Sequence, residues 1–254
     1  MRIVSYNILK GGEGRADPLC EVILAQRPDI VALVEANCAD VLERISHRLD
    51  MDYVVAEGNK NASALLSRWP IVESINHALL RPGLSRSLLE AVVQEPSGRQ
   101  WVVGVLHLHP HASEADEQAR ERELEVVLDV FARHRKAQTP HLLAGDFNAN
   151  SPVQRIDPAA LKPESRSEWD ANGGRIPRRV VQRLLDAGYV DTLAAARPED
   201  AATVGSFSTQ HPGQRVDYIF AWGTDPAQIK DAWVERDRLA RYASDHFPVA
   251  AEIL

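Results

Sequence analysis

Apolar runs in this chain meet a narrow set of polar residues: Asn7, Glu35, His107, Asp146 with Asn148, Asp217, and Asp245 with His246. Acids, amides and histidines without thiols are hard donors, and they suit Mg²⁺ or Mn²⁺ better than structural zinc. Mg²⁺ takes one or two protein carboxylates, keeps waters and binds substrate phosphate. Glu35 is the obvious first ligand, with Asp245 and Asp146 as further candidates. The histidines are then proton-transfer or phosphate-contacting groups. The stretch HLLAGDFNA (141–149) concentrates the pattern. Gly145 is expected to let the backbone turn closely. Asp146 and Asn148, two apart, can face the same way while Phe147 alternates into the core.

Each residue alone has a plainer reading. Glu35 could be a strand-end surface acid, Asn7 could shape the turn before Gly11-Gly12, and Asp217 could only begin a strand. Weaker candidates are Arg86, which either reaches a phosphate oxygen or is a solvated edge charge, and His109. With two-residue alternation His109 shares a strand face with His107. His111 and His211 read as loop or turn residues. Trp169 either anchors its loop or stacks on a base. Arg175, Arg178 and Arg179 read as a solvated face, although cations there oppose a helix dipole.

The elements that must position these groups alternate between strands and helices. IVSYNI (3–8), DIVALVEA (29–36), YVVA (53–56), SALLS (63–67), IVESINHAL (71–79), LLEAVVQ (88–94) and WVVGVLHLH (101–109) read as strands, with PSGR (96–99) as a hairpin turn. HLLAGD, VDYIFAW (216–222), IKDAWVE (229–235) and HFPVAAEI (246–253) complete the set. Asp17-Pro18 predicts a helix start. Val41, Leu42, Ile45 and Leu49 predict a second helix, Glu114 to Lys136 a long one, and Val180 to Leu185 another, closed by Gly188. Residues 150–175 are polar and read as a long surface excursion of the kind that often carries function. Many strands are adjacent hairpin candidates. Two packed sheets with helices outside therefore fit better than a doubly wound parallel sheet. No linker is evident, so residues 1–254 read as one domain.

Composition is ordinary for a globular protein, 44% hydrophobic and 26% charged. The net charge of −7 argues against a broad nonspecific grip on DNA. A carboxylate cluster around a cation would push the balance the same way. Cys20 and Cys38 lack metal-type spacing and read as small buried hydrophobes. There is no leader-like N-terminus and no run long enough for a membrane span. A cytoplasmic monomer is the default expectation.

The segments SYNI, VALVEA, LLSRWPI, VVGVLHLH, LLAGDFNA, RVDYIF and SDHFPV, in that order, resemble the endonuclease/exonuclease/phosphatase superfamily. They run from Ser5 to Val249. The resemblance implies a four-layered α/β/β/α sandwich of two mixed sheets with a divalent metal site where the loops meet. It implies that Asn7 helps hold the metal and phosphate, with Glu35 and Asp245 as metal-side acids. His107 would contact the scissile phosphate. Asp146 would activate the attacking water and Asn148 would position it. Asp217 would orient His246. The implied activity is Mg²⁺- or Mn²⁺-dependent phosphodiester hydrolysis by one or two ions, most simply on DNA or RNA. The alternatives are a phosphatase on a small or lipid-derived phosphoester, such as an inositol phosphate, and a non-catalytic binding protein with the same fold.

Overall fold

The computed structural model describes residues 1–254. In chain order the strands are β1 (Arg2–Asn7), β2 (Ile30–Val34), β3 (Asp52–Glu57), β4 (Ala62–Ser67), β5 (Ile71–Asn76), β6 (Leu88–Gln94), β7 (Gln100–His107), β8 (His141–Asp146), β9 (Val190–Asp191), β10 (Asp217–Trp222), β11 (Ile229–Val234) and β12 (Val249–Ile253). The helices are α1 (Ala16–Ala25), α2 (Ala39–Leu49), α3 (Glu114–Val130), α4 (Ala132–Lys136), α5 (Pro163–Ala171), α6 (Arg179–Asp186), α7 (Thr192–Ala196), α8 (Pro198–Thr203) and α9 (Ala240–Ala243). The first sheet runs β11-β12-β1-β2-β4-β3 and the second β5-β6-β7-β8-β10-β9. Both are mixed. The β1–β2 and β7–β8 pairs are parallel, and the remaining neighbours are antiparallel.

Strict alternation explains why these strands are apolar throughout. In β2, Ile30, Ala32 and Val34 face the space between the sheets, while Val31 and Leu33 face outward under α1 and α2. In the second sheet, Leu142, Ala144, Ile219 and Ala221 face inward. Leu143, Tyr218 and Phe220 meet the apolar stripes of α3 and α6. Each sheet is thus covered on both faces, which is the expected four-layered sandwich. The same parity decides where the chemistry goes. His107, Asp146 and Asp217 are in step with inward-facing Val105, Ala144 and Ile219, so they project into the end of the inter-sheet space.

Several local expectations are corrected. Helix α1 starts at Ala16 without a side-chain cap, and the Asp17 carboxylate instead takes a two-point bond from Arg44. The long helix is interrupted at Phe131, where ψ is 0°. The Phe131 ring fills the space left by Gly104, where a Cβ would come within 2.6 Å of it. The polar stretch 150–175 contains α5, whose charged composition hid it. The strand expected over 101–109 ends at His107, and that expected over 246–253 begins at Val249. No helix is long and apolar enough to cross a membrane.

Candidate active site

One rung of the second sheet carries three of the candidates. His107 is opposite Asp146 across the parallel β7–β8 pair, and Asp146 is opposite Asp217 across the antiparallel β8–β10 pair. Close approach of β7 and β8 depends on Gly145. Its φ is +142°, and a Cβ there would lie 1.9 Å from the Leu106 carbonyl oxygen. The glycine is needed for this close approach within a strand that continues through Asp146, and not for the turn expected from the sequence. Phe147 packs edge-on against Tyr218 and Phe220, as the alternation predicts.

The first sheet supplies Asn7 and Glu35. Asn7 Nδ2 donates to Asp146 Oδ2 at 3.1 Å and approaches Glu35 Oε1 at 3.5 Å. Its Oδ1 accepts from the Leu9 amide. The amide therefore turns its nitrogen to the acids and enters the cluster as a hydrogen-bond donor. Glu35 sits just past β2 with φ +60°, a conformation costly for a residue with a side chain. It is held there by the Gly11 and Asn37 amides on its carbonyl and by the Lys10 amide on Oε2.

His246 closes the cluster. Its Nδ1 lies 2.8 Å from Asp217 Oδ2, and its Nε2 lies 3.8 Å from Asp146 Oδ2. Burial opposes a charge on this ring, but the Asp217 and Asp146 carboxylates outweigh it and raise its pKa well above the ordinary histidine value. Burial and the neighbouring Asp217 charge in turn raise Asp146. His107 goes the other way. Burial, then the Arg86 and His246 cations, hold it well below its usual value, so it is a neutral imidazole. Its Nδ1 faces Arg86 Nη1 at 3.4 Å and its Nε2 faces Asp146 Oδ2 at 3.4 Å. That assigns the proton to Nε2. Arg86 also stands 4.0 Å from Glu35 Oε1, so it belongs at this cluster. Asn148 Nδ2 donates to the Leu108 carbonyl, leaving its Oδ1 as the group available to a water. A cavity of about 200 Å³ opens beside Asn148 and Phe207.

These features match a known family. A model of the Endonuclease/Exonuclease/phosphatase family matches residues 4–246. The chain belongs to that family. It is thereby a phosphoester hydrolase by class. No curated protein matches its sequence. Its structure is similar to that of the 3′ phosphatase NExo from Neisseria bound to a product DNA hairpin, with TM-score 0.72, 24% identity, and 100% and 99% of the two chains covered. It is also similar to an AP endonuclease from Archaeoglobus fulgidus, with TM-score 0.71, 18% identity and the same coverage. A third likeness is to an endonuclease/exonuclease/phosphatase from Beutenbergia cavernae, with TM-score 0.70 and 23% identity, covering 99% of this chain and 70% of that one. At such identities the likeness shows the fold.

Endonuclease/exonuclease/phosphatase enzymes generally need a divalent metal ion, and the donors here fit one. Side-chain atoms of Asp146, Asp217 and His246 lie within 4.8 Å of one another. The short Nδ1 bond from His246 to Asp217 makes those two an acid–histidine pair rather than two ligands. Asp245 Oδ1 is buried with no hydrogen-bond partner, and Glu35 presents Oε1 with only long contacts. Both are hard oxygens of the kind Mg²⁺ and Mn²⁺ take.

His109 does not join the cluster. With the strand over at His107, its ring turns to Asp116 at 2.9 Å, at the start of α3. It is corrected to a helix-capping neighbour. His111 faces Glu168 of α5. Arg178 and Arg179 hold backbone carbonyls and acids of α3. Three participants went unread. Ser206 Oγ donates to Asp217 Oδ2 at 2.7 Å, Phe207 packs on the His246 ring at 4.6 Å between centroids, and the Asn61 amide lies 3.5 Å from His107 Nδ1. All lie in polar loops with no periodic pattern to mark them.

Proposed function

We propose that this chain is a divalent-metal-dependent phosphodiester hydrolase that cleaves DNA or RNA by in-line attack of an activated water. The observation that carries the reading is the buried His246–Asp217 pair set beside Asp146. This places a cationic donor and a proton acceptor a few ångströms apart at a sheet end. The shared apolar core between the sheets supports reading residues 1–254 as one catalytic domain.

The residues divide the work as follows. Asp146, with its raised pKa, takes the proton of the attacking water. Asn148 accepts the second water hydrogen through Oδ1 and so aims the oxygen lone pair at phosphorus. His246, held cationic by Asp217, donates through Nε2 to a phosphoryl oxygen as negative charge builds there. Asp217 fixes the ring, with Ser206 holding the carboxylate. Neutral His107 offers Nε2–H to the Asp146 carboxylate or the phosphate, and Arg86 adds a cation at the rim. Glu35 and Asp245 would hold Mg²⁺ or Mn²⁺, which when bound supplies charge neutralisation at the phosphoryl oxygens.

Nucleic acid is favoured because the Neisseria neighbour is a DNA-bound phosphatase and the Archaeoglobus neighbour an AP endonuclease. The net charge of −7 favours a small phosphoester instead. A substrate panel separates the two. Single- and double-stranded DNA, RNA, abasic DNA, inositol phosphates and a chromogenic bis-ester are incubated with Mg²⁺, Mn²⁺ or EDTA. Nucleic-acid cleavage with either ion and none in EDTA is expected. His246→Ala and Asp146→Ala should each lose about 10²–10⁴-fold in rate with unchanged circular dichroism. Turnover in EDTA, or turnover confined to inositol phosphates, overturns the reading.

A further inference from the structure

The catalytic cluster is bordered by two cavities. One, at Asn148 and Phe207, has been described. The second, of about 330 Å³, lies between α2 and the outward face of edge strand β3. Ala36, Leu42, Tyr53 and Val55 form its apolar wall, and Glu57, Lys60 and Asn61 are among its polar lining. We propose that this second cavity seats one unpaired nucleobase of the substrate strand, next to the scissile phosphate. The proposal rests on the nucleic-acid reading above and adds to it a requirement for an unpaired nucleotide.

Continuity with the cluster comes first. Ala36 directly follows Glu35, and the Asn61 amide lies 3.5 Å from His107 Nδ1. A group in the cavity is thus covalently within reach of a phosphate at the cluster. The wall is also built. Ala36 N–H donates to the Ala62 carbonyl at 2.9 Å. The Asn37 side chain accepts from the Ala62 amide at 3.0 Å and donates to the Lys60 carbonyl at 3.2 Å. These bonds tie the β2–α2 loop to the β3–β4 turn and use up the backbone polar groups that would otherwise face the cavity. Gly58 lets that turn pack on the backbone before β6, since a Cβ there would meet the Arg86 carbonyl at 2.4 Å.

Chemistry and size then choose the occupant. Tyr53 and Val55 alternate onto the same face of β3, and Val55 is 38% exposed although β-branched and apolar. An aromatic ring beside aliphatic side chains is the pattern that stacks a base, and Lys60 offers the lining one cation beside the Glu57 acid. The volume is at the small end of ligand cavities, which run from about 300 to 1,000 Å³. It accepts one ring system and no base pair. A base reaches it only from a single strand, a frayed end or by flipping out.

The test uses the whole protein with Mg²⁺ and short oligonucleotides. They are a single strand, the same strand as a blunt duplex, and two single strands each lacking the base on one side of the scissile bond. The wild type should prefer the single strand, and loss of one particular flanking base should raise KM by about 5- to 150-fold, the range set by stacking on an aromatic. Tyr53→Ala and Val55→Glu should each shrink that base-dependent difference toward unity, and Val55→Glu, at an exposed side chain, should melt as the wild type does. Retained base discrimination in both folded variants, equal use of both base-lacking strands by the wild type, or preference for the duplex overturns the proposal while leaving the hydrolase reading intact. Failure of the wild type to cleave any oligonucleotide overturns the nucleic-acid reading, and this one with it.

Discussion

Asp146 and Asp217 are directly opposed across the β8–β10 pair, so two buried carboxylates share one face of one sheet. Like charges so placed repel, and each is more than nine-tenths buried. The arrangement persists because His246 reaches both, at 2.8 Å to Asp217 and 3.8 Å to Asp146. The two acids are held unequal as a result. Asp217 has the short charge-assisted bond and the Ser206 hydroxyl, whereas Asp146 is left with the raised pKa of a base.

Asp217→Asn separates these roles. The amide fills the same space, but His246 loses the anion that keeps it charged. The rate should fall by about 10²–10⁴-fold. A rate near wild type, measured on the chromogenic bis-ester, would show that His246 needs no acid partner. Ser206→Ala should give a weaker loss of the same kind, since it removes only the second hydrogen bond to Asp217.

The pH–rate profile carries a sign that the geometry dictates. In the proposed mechanism, turnover needs Asp146 ionised and His246 protonated. Burial and the Asp217 charge raise Asp146, so the acidic limb should lie above the ordinary carboxylate value of about 3.9. Burial works against the His246 cation, but Asp217 and Asp146 prevail, so the basic limb should lie above about 6.5. Both limbs belong to the coupled pair. In Asp217→Asn, Asp146 loses a like charge and His246 loses an opposite one, so both limbs should move to lower pH. Opposite movement of the limbs in kcat/KM profiles would contradict this account.

Much of the cluster was legible because its members end apolar runs, where a reactive side chain has no packing reason to stand. Asn7, Glu35, His107 and Asp146 follow that logic, Asp217 and His246 stand before apolar runs instead, and strand parity brings together Asn7, His107, Asp146 and Asp217, with Glu35 and His246 just outside their strands. His109 was misread because alternation was carried two residues past the true strand end. Ser206, Phe207 and Asn61 were invisible because a loop residue becomes functional only through what folding places against it. Helix α5 escaped for a related reason. Its nine residues bury only Ser165, so it leaves no apolar stripe to read.

Gly145 offers a test of the scaffold rather than the chemistry. Alanine there would clash with the Leu106 carbonyl at 1.9 Å and adopt φ +142°. Relief requires β7 and β8 to part at the rung bearing His107 and Asp146. Gly145→Ala should therefore cost more than about 3 kcal/mol in urea unfolding, with activity lost from the fraction still folded. Gly98 is the control. It also has positive φ, +88°, but a Cβ there meets nothing, so its alanine variant should cost only about 1 kcal/mol. Equal costs at the two sites would remove the argument from close approach.

Two groups outside the cluster should each add a step to the loss of stability in acid. His141 is buried on β8, with Nε2 2.8 Å from the Tyr189 hydroxyl. Burial pulls its pKa down to about 4 against the opposing Thr139 carbonyl. The unfolded chain takes that proton near pH 6.5, so stability falls as pH drops from about 6.5 to about 4 and then levels for this group. Glu90 behaves as a paired acid. Burial raises it, but bonds from His77, Arg133 and His134 prevail and hold it at about 2. Its contribution is complete above the unfolded carboxylate value of about 4.3 and is lost as pH falls toward 2. The first step should amount to roughly 2 kcal/mol, read from urea unfolding between pH 7 and 4. His141→Gln should shrink that step, to which buried neutral His107 also contributes, and leave the lower one, and Glu90→Gln should do the reverse. A single step removed by neither substitution would place the acid sensitivity elsewhere.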